Sequence, residues 1–305
     1  MHIPDGFLSP EVAVACAVPA IAAVGIGLRR ADSDVDERRV PLLGVTAAFV
    51  FAAQMLNFPI AGGTSGHFLG AALAAILLGP WLACLTLAVV LGVQAFVFAD
   101  GGLTALGANV FNMGVVGALI VGGLMRAANA VAPKHLLTVS AVGAWLAVMA
   151  GAAMTAIELA ASGTVPLGTV LPAMLGTHLL IGVGEAVITV AAVSAVVSTR
   201  PDLLNLPANR APAPAVVKVF TIVALALAIG LATAVSPFAS SQPDGLERVA
   251  ADKGFLDNGR AQSGPISDYA FPSIEDERLA TGLAGFVGTL LVFGVGYAVV
   301  RRRVA

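Results

Sequence analysis

The first two residues, Met1 and His2, put three nitrogens of different kinds within reach of one ion. The α-amine, the His2 amide and the His2 imidazole close two adjacent small chelate rings. Three in-plane nitrogens suit Ni(II) or Cu(II). Such a site needs a free Met1 amine, and the start carries neither the basic stretch nor the small-residue cleavage site of a signal peptide. A fourth nitrogen is offered by His67, which follows the polar, glycine-rich break Ala61-Gly62-Gly63-Thr64-Ser65-Gly66. A looped-in N-terminal segment would bring Met1 and His2 against it. Taken singly, His2 reads as an exposed residue and His67 as an interfacial or hydrogen-bonded imidazole; their conjunction carries the metal reading. Gln54, Asn57, Ser65 and Glu185, with Asn109 and Asn112, are candidates for holding His67 or the N-terminal segment in place, as groups behind metal ligands do. Interhelical hydrogen bonding is the plainer use of each.

The elements that position these residues are set by composition. The chain has 305 residues, of which 58% are hydrophobic and 11% charged, with a mean hydropathy of +0.93. A soluble domain carries about 25% charged residues, so the pattern predicts an all-α, polytopic transmembrane bundle whose backbone is satisfied within its own helices. Apolar runs near the ~20 residues needed to cross a bilayer fall at 9–28, 40–57, 105–126, 138–162, 171–198, 216–236 and 279–300. The run 67–98 is too long for one span, and Gly79-Pro80 near its middle predicts two helices with a tight turn. Nine spans result: seven in residues 1–200, then a Pro/Ala/Arg linker at 201–215, then two more in 216–305 flanking a polar segment from about 237 to 278.

Charge orients the bundle. With the N-terminus outside, the inner loops hold Arg29, Arg30, Arg38, Arg39, Arg126, Lys134, Arg200, Arg210, Lys218 and Arg301 to Arg303, while the outer segments hold only Arg248, Lys253, Arg260 and Arg278. That satisfies the excess of Lys and Arg on the cytoplasmic side and predicts a multi-pass cell-membrane protein with its C-terminus in the cytoplasm. Glu158 and Glu185 fall within apolar runs, where ionisable groups are functional candidates by default. Cys16 and Cys84 read as small buried hydrophobes. His135, beside Lys134 in an inner loop, reads as solvated.

Several motifs carry a family resemblance in chain order. Met1-His2-Ile3-Pro4-Asp5-Gly6-Phe7-Leu8, Gln54-Met55-Leu56-Asn57-Phe58-Pro59, Gly63-Thr64-Ser65-Gly66-His67, Phe98-Ala99-Asp100-Gly101-Gly102, Gly107-Ala108-Asn109-Val110-Phe111-Asn112-Met113-Gly114 and His178-Leu179-Leu180-Ile181-Gly182-Val183-Gly184-Glu185 together resemble the substrate-capture subunit of cobalt/nickel energy-coupling-factor transporters, the CbiM/NikM family. The resemblance covers about residues 1–200. It implies that the Met1 amine, the His2 amide and imidazole and the His67 imidazole bind Ni2+ or Co2+ as the transported ion. It also implies partners: a transmembrane coupling subunit and cytoplasmic ATPase subunits. Residues 216–305, with Pro243-Asp244-Gly245-Leu246-Glu247 and Asp268-Tyr269, are similar to the PDGLE-type accessory component of such transporters. No single carboxylate of that acidic outer segment is singled out as a ligand; a solvated loop that attracts cations is the simpler reading.

None of Lys134, Lys218 and Lys253 lies in a phosphate-binding G-x-x-x-x-G-K-[S/T] loop, so no ATP site is expected here. Nor is nucleic acid an expected partner; lipid is. The expected role is a non-catalytic transporter subunit. The main alternative, a stand-alone secondary transporter, calls for paired carboxylates or inverted repeats at mid-membrane, and beyond Glu11 at the start of the first run the runs hold only two acids and no convincing repeat. If Met1 serves through its amine, its side chain should tolerate change while N-terminal extension should not.

Overall fold

The computed structural model describes residues 1–34, 40–129, 135–204 and 214–304. The middle of the 201–215 linker lies outside the described residues, as do Arg38, Arg39, Lys134 and Arg210 of the charge map. The bundle opens with an extended segment, residues 1–9, that runs into α1 (Pro10–Asp34). Helix α2 (Val40–Gln54) is apolar on every face, and almost every residue of it is buried, as expected of a helix surrounded by others. A short antiparallel hairpin follows, β1 (Phe58–Ile60) and β2 (Thr64–Gly66), with Phe58 opposite Gly66 and Ile60 opposite Thr64.

The chain then turns inward to α3 (Ala71–Leu78) and reverses into α4 (Pro80–Val93). Gly79, at φ 84°, adopts the backbone that favours glycine, and Pro80 at the first helical position donates nothing that is missed. A wide π turn (Gln94–Phe98) ends this helix. α5 (Leu106–Asn109), a second π turn (Val110–Val116) and α6 (Gly117–Asn129) form one continuous span. α7 (Leu136–Ala161) and α8 (Leu167–Thr199) pack along one another, with Gly182 close beneath Trp145. Small residues at such contacts let helices approach without a polar driving force.

The C-terminal third supplies α9 (Pro214–Gly230), the short helix α10 (Gly245–Lys253) and α11 (Glu277–Val304). α11 lies against α2, with Gly44 beside Phe293, while α9 turns Val219, Ile222, Val223 and Leu227 outward. Among the described residues seven helices are long and apolar enough to cross a membrane. The expected turn at Gly79-Pro80 is present, but α3 has only 8 residues, about 12 Å at 1.5 Å per residue, far short of a bilayer core of about 30 Å. The reason is local: residues 58–70 are used by the hairpin and by the extended stretch that carries His67 inward.

Candidate metal centre

The N-terminal segment enters the bundle as an extended strand and is gripped by its backbone. Asn109 accepts the Ile3 N–H at 2.8 Å and donates its own amide to the Ile3 carbonyl at 3.1 Å. A second donor, Gly102 N–H, reaches the same carbonyl at 2.8 Å. The Asp5 carboxylate accepts from the Thr104 N–H and hydroxyl at 2.8 and 2.6 Å. The wide π turn that begins beside Asn109 re-aims the helix face here; such turns recur at functional sites.

This grip delivers the Met1 amine to His67. The amine nitrogen lies 2.7 Å from His67 Nε2. On the far side of the ring, His67 Nδ1 is 3.1 Å from the Phe68 carbonyl. A carbonyl only accepts, so Nδ1 carries the proton and Nε2 turns its lone pair toward the amine. Burial, with the Met1 ammonium and His2 beside it, pushes the His67 imidazole down to about 3, so it stands neutral, the form that binds metal. The His2 ring packs edge-on at 5.2 Å between centroids. Its Nδ1 lies 3.0 Å from Asp100 Oδ1. The other Asp100 oxygen accepts from the Tyr269 hydroxyl at 2.5 Å, and Gln94 donates to Tyr269 at 3.1 Å. Although burial raises the Asp100 carboxyl, His2 and Tyr269 hold it below the usual carboxylate range.

Asp244, from the polar segment between α9 and α11, closes the group. Its Oδ1 caps α10 by accepting from Leu246 N–H at 2.8 Å and Glu247 N–H at 2.9 Å, the usual service of an N-cap aspartate. Its Oδ2 forms an ion pair with the Met1 ammonium and lies 3.8 Å from His67 Nε2. Burial raises this carboxyl too, yet the ammonium holds it well below the carboxylate range. A cavity of about 860 Å³ opens over the group, lined by His2, His67, Asp100, Asp244, Arg260 and Tyr269. Among the described residues no three His, Cys, Asp or Glu side chains cluster to hold a metal, so a metal site here would have to draw on main-chain nitrogen.

Of the candidate supporting residues, Glu185 is the most directly placed. Its carboxylate accepts from the N–H groups of Leu69 at 2.6 Å and Gly70 at 2.9 Å, fixing the backbone that follows His67. Gln54 donates to the Leu69 carbonyl at 2.8 Å. Ser65 faces the outer segment instead: its hydroxyl donates to Gln242 O at 2.7 Å and its N–H to Pro243 O at 2.9 Å. Asn57 lines the cavity, and its main-chain carbonyl accepts the Ser240 N–H at 2.8 Å. Asn112 donates to Glu158 at 2.7 Å, and Cys16 meets the same carboxyl at 3.2 Å, one layer below the centre. The Met1 side chain is only 3% exposed, and a Cβ on Gly151 would meet its methyl at 2.9 Å. The expectation that this side chain tolerates change is thereby corrected: it is packed.

Asp100, Asp244 and Tyr269 were not expected at the centre. The signal for Asp244 was present in Pro243-Asp244-Gly245, a capping residue ahead of a helix-length run, which commits one carboxylate oxygen and leaves the other free.

Comparison with known proteins agrees with this architecture. Residues 2–203 match the family described as the cobalt uptake substrate-specific transmembrane region, CbiM, and residues 218–303 match the PDGLE domain. A relative in Archaeoglobus fulgidus, named for fused nickel transport (NikMN), is 38% identical over 304 residues, 99% of this chain and 98% of that one. The fused nickel transport protein NikMN of Rhodobacter capsulatus is 37% identical over 70% of this chain and 66% of its own length. A crystal structure titled as a truncated transition metal transporter is 36% identical, with a TM-score of 0.59 over 65% of this chain and 99% of that chain. The chain is therefore a multi-pass membrane protein that belongs to the CbiM family of cobalt and nickel transport proteins and carries a PDGLE domain.

Proposed function

We propose that the chain is the substrate-binding membrane component of an ATP-driven, energy-coupling-factor importer of Ni2+ or Co2+. In this reading residues 1–200 are the capture domain, 201–215 a cytoplasmic linker and 216–305 the accessory domain. The N-terminus faces outside and the C-terminus the cytoplasm. The ion is held by the Met1 amine, the His2 amide and imidazole, and His67 Nε2.

One observation carries the reading: the Met1 amine and the His67 Nε2 lone pair face each other at 2.7 Å. Adjacent ligands of a planar ion bound at about 2.0 Å stand about 2.8 Å apart. His67 thus sits where the fourth ligand beside the amine belongs. Chelation through His2 Nδ1 requires the ring to give up its contact with Asp100. The chelate favours Ni2+ by its planar preference, and the names of the relatives include both nickel and cobalt transport.

The partners in this reading are a transmembrane coupling subunit and cytoplasmic ATPases, because the chain has no phosphate loop of its own. Metal retention by the purified full chain tests the site. His2→Ala and His67→Ala should each lose Ni2+, and one residue inserted before His2 should be nearly as damaging because it changes the chelate ring sizes. Retention equal to the parent in both alanine variants overturns the site. Transport is tested separately: full-rate uptake without co-expressed ATPase subunits would instead establish the stand-alone secondary transporter.

A further inference from the structure

We infer that Asp244 is the permanent counter-charge of the metal centre, a carboxylate lent by the accessory domain that opposes the single positive charge of the Met1 nitrogen set with the ion and without it. The inference rests on the nitrogen site proposed above and adds to it a residue from outside the capture domain.

The geometry is specific. Asp244 Oδ2 pairs with the Met1 ammonium and lies 3.8 Å from His67 Nε2, while its Oδ1 is committed to the first turn of α10. The carboxylate is therefore clamped by its own helix and cannot rotate away without uncapping it. The segment that carries it is docked as firmly. Gln242 and Pro243 present their carbonyls to Ser65, on the open edge of β2. Gly245 packs against α8 so closely that a Cβ there would stand 2.8 Å from both His178 Cε1 and Ile181 Cδ1. Met1 and Asp244 side chains are only 2% and 21% exposed, so charge left uncompensated here is costly.

Charge decides the role. Before an ion binds, the single positive charge of the ammonium is met by Asp244. When a divalent ion is chelated, the amine and the His2 amide each release a proton to the open cavity and coordinate as a neutral and an anionic nitrogen. One positive charge then remains over the nitrogen set, and Asp244 meets it from the same place. In both states the Met1 nitrogen set therefore carries one positive charge opposite Asp244, beside the separate carboxylate of Asp100.

The test is Ni2+ and Co2+ titration of the purified full chain. Asp244→Asn keeps the shape and the ability to cap α10 while removing the charge. Asp244→Ser, a second capping residue, provides an independent charge-free variant, and thermal unfolding without metal reports folding in each. Both variants should bind Ni2+ roughly ten- to a hundredfold more weakly, the range found for groups behind metal ligands. Binding equal to the parent in a folded variant overturns the inference. Tighter binding also overturns it, since Asp244 would then be an obstacle. If His67→Ala retains metal, the nitrogen site itself fails; if His67→Ala loses metal and Asp244→Asn does not, only the role of Asp244 fails.

Discussion

At the scale of residues, the centre is a set of polar groups each held by its second valence. His67 is fixed through Nδ1, Asp244 through Oδ1, and Asp100 through the oxygen that meets Tyr269. Each thereby turns one defined atom toward the Met1 and His2 pair. Glu185 extends the pattern to the backbone, with both oxygens engaged by Leu69 and Gly70 N–H. Glu185→Gln offers one acceptor and turns an NH2 against an N–H donor. It should destabilise the protein by about 1–3 kcal/mol and weaken Ni2+ binding roughly tenfold, read by thermal unfolding and metal titration. A loss of stability alone, with unchanged affinity, would leave Glu185 a purely structural buttress. Met1 and His2 could be proposed as a chelating pair from the sequence because such rings close between neighbouring residues. Asp100 and Asp244 were not singled out, because their partners are 98 and 243 residues away along the chain and each is one of many carboxylates in polar segments.

At the scale of elements, short and interrupted pieces carry the site while long helices hold it. α3 is too short to span, and that shortness is what places His67 on extended backbone inside the bundle. The tight turn at Gly79-Pro80 could be foreseen from local residue types. The length of α3 could not, since an apolar run looks the same whether it is helical throughout or partly extended. The chain uses Pro-Asp-Gly twice, and context separates the two: Asp5 accepts from Thr104, whereas Asp244 caps a helix. The approach of Gly245 to α8 gives a sharp test at this scale. Gly245→Ala places a methyl against His178 and should displace α10 and weaken Ni2+ binding. His178→Ala opens that space, so the double variant should recover part of the loss. In-contact pairs show such coupling at about 0.5–3 kcal/mol; strictly additive losses would argue against a steric cause.

At the scale of the whole molecule, the two parts form one body around a shared centre. The C-terminal third contributes two helices against α2 and lines the mouth of the cavity with Asp244 and Tyr269. The proposed orientation predicts that a cysteine at exposed Asp257 is labelled by a membrane-impermeant maleimide in intact cells, and one at exposed Arg303 only after permeabilisation. Native Cys16 and Cys84 are buried, so background should be low; the reverse pattern would invert the topology. Hydropathy and composition made the helical bundle readable. They were silent on how the two parts meet, because surface complementarity leaves no periodic trace. The contact between Met1 and Asp244 also imposes a timetable. Met1 waits until 243 further residues have been made, by which point α1 to α9 have all been synthesised. Under the proposed orientation, any formyl group on the terminus must be removed on the inner side before α1 crosses, and the completed pocket is then sealed from outside by one of the last segments to arrive. Biogenesis therefore sets when the Met1 amine first meets its counter-charge.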